Sequence, residues 1–156
     1  MSTTQQILSQ EFEKLRVDLI SKHKQLGMKA SGKWENELEV LTSTNNAKIV
    51  GEGYTNQLVN GRKPGKFPPV DAIKQWIEDK GIVNNIKGNI SVSSLAFLIA
   101  RKIAKSGTKY FQQGGTDLID GVVTNARIQS IIDKVGAELT LTLVTKLENE
   151  FKKIAV

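Results

Sequence analysis

The side chains able to do chemistry are few, and most are badly spaced for it. His23 is the only histidine and there is no cysteine, which removes disulfides, thiolate metal sites and cysteine nucleophiles. A zinc site is disfavoured for want of a second imidazole or a thiolate. His23 stands between Lys22 and Lys24 near the end of a predicted helix, where a solvated imidazole, or one interacting with the C-terminal helix dipole, is expected. No Gly-x-Ser-x-Gly elbow accompanies the serines. Glu35, Glu37 and Glu39 alternate along one stretch, a carboxylate row that reads as the solvated face of a strand rather than an acid/base pair. A carboxylate enzyme working through residues such as Glu35 or Asp71 would need its titratable groups held in a shaped, partly dry cleft. The expectation is therefore no catalysis and no cofactor.

The stretch with the most deliberate composition is 59–81, VNGRKPGKFPPVDAIKQWIEDKG. Gly61, Arg62, Lys63, Pro64, Gly65, Lys66 and Phe67 form a stiff, positively charged turn leading into a helix. Glycine-rich turns before helices can cradle phosphates, but the spacing from Gly61 to Gly65-Lys66 is too short for a P-loop. Phe67 also stands where Ser or Thr would hold magnesium, and Pro68 and Pro69 withhold backbone donors. The loop is instead a candidate interface element. Its neighbourhood strengthens that reading: residues 60–110 hold ten Lys or Arg and three Asp or Glu, whereas the rest of the chain holds 12 and 13. The whole excess behind the net charge of +6 thus lies in one segment, suited to an acidic protein surface or to nucleic acid. The plain alternative is a solvated surface that keeps the protein in solution.

The elements that must position this loop follow from periodicity. Residues 4–26 carry Leu8, Phe12, Leu15, Leu19 and Leu26 at helical spacing, with Gly27 as the stop. Residues 33–42 alternate, with Trp34, Asn36, Leu38 and Val40 on one side, and predict a strand. Turn chemistry at 42–46 and a second apolar run predict a hairpin over about 33–59, with Gly51 and Gly53 marking a bulge or close backbone approach. A helix over about 69–80 places Val70, Ile73, Trp76 and Ile77 on one face, making Trp76 a core anchor. Residues 82–90 read as irregular. Ser91 or Ser93 is expected to cap a helix whose apolar residues from Leu95 to Ala104 run nearly all round it, implying deep burial. Phe67, Trp76 and Phe97 then lie on buried faces, leaving Tyr110 and Phe111 as the aromatics free to stack. Residues 117–154 show a long helical pattern, with a strand at 139–145 as the alternative because LTLTLVT also alternates. The fold class expected is α+β: a small antiparallel sheet flanked by helices, ending in a long C-terminal helix, in a single domain over 1–156. The N-terminus lacks a signal-peptide pattern and no apolar run is long enough to span a bilayer, so synthesis in a cytoplasm and no membrane partner are expected.

Three stretches in order resemble the tail-completion or neck proteins of tailed bacteriophages. They are Ala30 to Val40, Tyr54 to Trp76, and Leu95 to Ile103 running on to Gly107-Thr108. The central one, Gly-Arg-x-Pro-Gly-x-x-Pro-Pro-x-x-x-Ile-x-x-Trp, is the most specific. Residues 112–156 depart from the short aromatic-Pro ending of such proteins, since no proline follows Tyr110-Phe111. The resemblance implies a non-enzymatic virion protein, made in the host bacterial cytoplasm and placed at the head-to-tail junction or the top of the tail. Its partners would be head-closure, adaptor or tail-tube subunits and further copies of itself in a ring, with non-specific contact to DNA in the lumen. The residue-level alternative is a basic nucleic-acid-binding module using 60–110.

Overall fold

The computed structural model describes residues 2–155. Helix α1 (Thr3–Gln25) begins at Ser2, whose hydroxyl accepts from the Gln5 amide, and ends before Gly27 at φ 70°. Its Leu15 and Leu19 are buried. Helix α2 (Lys33–Glu37) leads into strands β1 (Glu39–Ser43) and β2 (Asn46–Val50), which pair antiparallel with Glu39 opposite Val50 and Ser43 opposite Asn46. Short helix α3 (Thr55–Asn60) precedes the loop, α4 (Val70–Asp79) follows it, and a 3-10 turn at Ile82–Asn85 connects towards α5 (Val92–Ser106). A single turn, α6 (Lys109–Gln112), and an irregular stretch lead to α7, the 30-residue helix Asn125–Ile154. The architecture is α+β, a two-stranded antiparallel sheet among helices with a long C-terminal helix.

The strands are shorter than the periodicity predicts. Residues 33–37 are helical because Trp34 and Leu38, four apart, also satisfy helical spacing, and packing chooses between the two periods. Gly32 at φ 85° turns the chain, and the Ser31 hydroxyl accepts from the Lys33 amide at 3.2 Å. Trp34 then sinks to 2% exposure and donates its indole N–H to Thr55 Oγ1 at 2.9 Å. That bond fixes the first turn of α3, so 55–59 is helix where a continuing strand is expected. Gly51 is a close approach, since a Cβ there would meet Leu38 Cδ2 at 2.8 Å, whereas nothing crowds Gly53.

Apolar burial divides into two nuclei. The larger joins Leu15, Leu19, Met28, Trp34, Leu38, Leu118, Val122 and Ile131, so α1, α2, the start of β1, the stretch before α7 and the first turns of α7 share one core. The smaller lies between α4 and α5, where Ile77, Ala96 and Ala100 are completely buried. Burying Ile77 there contributes about 1.5–3 kcal/mol, and the two alanines let the helices approach closely. Only one face of α5 is covered: Phe97 and Leu98 are about half exposed, at 51% and 49%. The deep burial implied by its composition is not realised. Trp76 is likewise exposed at 41% rather than a core anchor, and Ile77 beside it takes the buried position. Ser91 caps α5, its hydroxyl accepting from the Ser94 amide at 3.1 Å. The 139–145 segment is helix, because it continues a 30-residue run begun at a Thr124 cap. Residues 117–123 precede the cap and are not part of that helix.

Candidate functional site: a clasped basic loop

The 61–67 loop is laced to the chain that ends α5 and forms α6. Thr108 is the clasp. Its Oγ1 accepts from the Arg62 amide at 2.9 Å and from the Phe111 amide at 3.4 Å, and its own amide donates to the Arg62 carbonyl at 2.9 Å. The Gly65 amide donates to Ala104 O at 2.8 Å. Upstream, Thr116 donates its amide to Val59 O and its hydroxyl to Leu58 O, both at 2.7 Å. All but the Phe111–Thr108 bond join residues far apart in sequence, and together they occupy backbone groups that a loop would otherwise give to water.

Two glycines make the contact possible. A Cβ on Gly61, at φ 73°, would lie 2.1 Å from the Phe111 amide nitrogen. One on Gly107, at φ 76°, would lie 2.8 Å from Arg62 O. Both positions therefore need the left-handed region and the missing side chain together. Gly65 is different: its φ of 123° demands glycine, but nothing lies within 4 Å of the site of a Cβ.

Of the expected interface residues, Gly61 and Arg62 are half-buried in the clasp, while Lys63, Pro64, Gly65, Lys66 and Phe67 are exposed. Phe67 lies against Phe97 of α5, ring centroids 5.7 Å apart and tilted by 41°. Both rings remain open to solvent, at 43% and 51%, and so correct the expectation that they are core. Tyr110 instead packs at the edge of the larger core, and burial pushes its hydroxyl pKa up. Gly65 and Phe67 thus both rest on α5, at Ala104 and Phe97, and Lys66 between them is exposed. Among the described residues, none of the ten cations between 60 and 110 lies within ion-pair distance of a carboxylate; all eight ion pairs involve residues outside that segment.

The carboxylate row is broken up. Glu37 and Glu39 are exposed, but Glu35 is buried against His23, which is 2% exposed and not solvated as its neighbours suggest. The imidazole stacks on Trp34, centroids 4.3 Å apart and 17° between planes, with Nδ1 at 3.3 Å from Glu35 Oε1. That is ion-pair reach without the alignment of a hydrogen bond. Burial lowers the His23 pKa; Glu35 opposes the shift, while Lys80 and Lys24 add to it. The cause of the misreading is the fold at 33–37, since a helical turn sends Glu35 inward beside Trp34 where an alternating strand would separate them. Asp71 is exposed in the first turn of α4. Among the described residues, no group of three or more acidic or histidine side chains is placed to hold a metal ion, and no helix is long and apolar enough to cross a membrane.

Sequence reasoning missed Thr108 and Thr116 as the residues that hold the loop. The available signal was the recurrence of threonine directly after glycine, Gly107-Thr108 and Gly115-Thr116, at the far edge of the segment with the distinctive motif. No family model matches the chain, and no curated protein or solved structure is significantly similar to it.

Proposed function

We propose that this chain is a non-enzymatic structural protein of a tailed-bacteriophage virion, completing the tail or joining head to tail as one member of an oligomeric ring. In this reading the 61–67 loop docks on a neighbouring virion subunit. The observation that carries it is the clasp: the loop's backbone is tied to α5 and α6 by Thr108 and Ala104, while Lys63, Lys66 and Phe67 point outward. A loop already ordered loses little conformational entropy on binding, which is the property an assembly surface needs. The ordered resemblance over 30–111 supplies the kind of assembly. Replacing Arg62, Lys63 and Lys66 by Ala leaves the clasp's backbone bonds in place, so the isolated protein stays folded while the yield of joined, infectious particles drops. A normal yield contradicts this role for the loop.

One observation favours a second reading, a nucleic-acid-binding module. The unpaired cations of 60–110 and the open Phe67–Phe97 pair combine charge with stackable rings. Such binding weakens steeply with salt, because each phosphate contact releases counterion. A titration with DNA that shows no binding at low salt dismisses it.

A further inference from the structure

We infer that the distal half of α7 seats in the apolar groove of a second copy of this chain. This deepens the assembly reading and rests on it. Helix α7 runs antiparallel to α1, tied by Arg127 to Asp18 at 2.6 Å and by Lys134 to Glu11 at 2.9 Å. The residue numbers of each pair add to 145, so position 142 lies level with Thr3, the first residue of α1. Residues 143–154 therefore project past the end of α1 by about 18 Å at the rise of an α-helix.

The projecting helix is not polar. Leu139, Leu143, Val144, Leu147, Phe151 and Ile154 expose 45–78% of their surface, and at 100° per residue they share one broad face. Together they present on the order of 600 Å² of apolar surface, close to the roughly 800 Å² each partner gives to a standard interface. An exposed patch of this size marks an interaction site.

The same chain carries an apolar recess. A groove of about 750 Å³ lies between α1, the hairpin and the first turns of α7, lined by Leu8, Phe12, Leu19, Ile49 and Ile132 among others and almost wholly apolar. Along α1 it runs from Leu8 to Leu19, about 16 Å, against about 22 Å for the stripe from Leu139 to Ile154. Ile132, level with position 13 by the same register, stands at mid-groove, and Leu147 stands at mid-stripe. Mid-groove and mid-stripe must meet whichever way the incoming helix points. The groove is also continuous with the stripe, since Ile128 and Ile132 line it and lie on the face of α7 that carries Leu139 and Leu143. One stripe and one groove per copy is the pairing a closed ring repeats.

The absence of cysteine makes the test direct. Ile132→Cys and Leu147→Cys are made separately on the full chain, at positions 56% and 47% exposed where the fold tolerates the change, and circular dichroism verifies this. Under mild oxidation, the mixture is expected to give a disulfide-linked pair that neither variant gives alone. Cross-linking of Leu147→Cys alone as efficient as in the mixture would mean that α7 meets α7, and overturns the inference. So does a mixture that stays uncross-linked and of monomer mass at the highest concentration the protein tolerates. Either failure leaves the location of the protein in particles, which judges the assembly reading, to be decided separately.

Discussion

The distinction between Gly61 and Gly65 separates a backbone clash from mere strain. Both have positive φ, but only Gly61 has the Phe111 backbone where a Cβ would stand. Gly65→Ala should cost about 1–3 kcal/mol, the price of a strained backbone conformation. Gly61→Ala should cost at least twice the loss measured for Gly65→Ala, because the clasp must open as well. Urea unfolding of both variants decides it, and equal losses would contradict the clasp. His23 makes a second residue-scale prediction. Burial holds its folded pKa below the ordinary 6.5, so between the two values the unfolded chain binds a proton that the folded chain does not. The stability His23 permits is complete above pH 6.5 and is lost as pH falls from there towards the folded value, by up to about 1.4 kcal/mol per pH unit. His23→Gln should remove that component of the slope below pH 6.5, as chemical denaturation at a series of pH values would reveal.

At the scale of elements, what could be read from sequence is what local chemistry decides. The stop at Gly27, the Ser91 cap, the helix after Pro69 and the long C-terminal helix all follow from caps, glycines and sustained 3.6-residue spacing. Where two periods coexist, tertiary contacts choose. Trp34-Glu35-Asn36-Glu37-Leu38 alternates like a strand, yet becomes helix because His23 receives Trp34 as a stacking partner and Thr55 accepts its N–H. Phe67, Trp76 and Phe97 have the composition of core but lie outside it, and single-chain patterning cannot distinguish a face buried by its own fold from one reserved for a partner. The loop's residues were legible from Gly, Pro and charge; its anchors were not, since Thr108 and Thr116 act across 46 and 58 positions. The distal part of α7 has the reverse character, a regular element that its own chain does not cover. Every described residue from 139 onward is exposed. Deleting residues 143–156 should therefore shift the thermal midpoint by less than about 2 °C, as measured by scanning calorimetry on dilute protein. A large drop would show that the helix supports the body of the same molecule.

For the whole molecule, the assembly proposed above gives the basic and apolar surfaces different tasks. The clasped loop and α5 carry cations that, among the described residues, pair with no carboxylate, while α7 and its groove offer extended apolar contact. Charge steers an encounter and falls with ionic strength, whereas apolar burial holds an assembly once formed. Such a division suits a subunit that must find a site and then remain in it. The measurement that tests this account most directly is immunogold labelling of phage particles, from the lysate of the phage that encodes the chain, with antibody against the protein. The account predicts label concentrated where head meets tail. Particles without label, with the protein recovered only in the soluble fraction while tail subunits are detected, would contradict it.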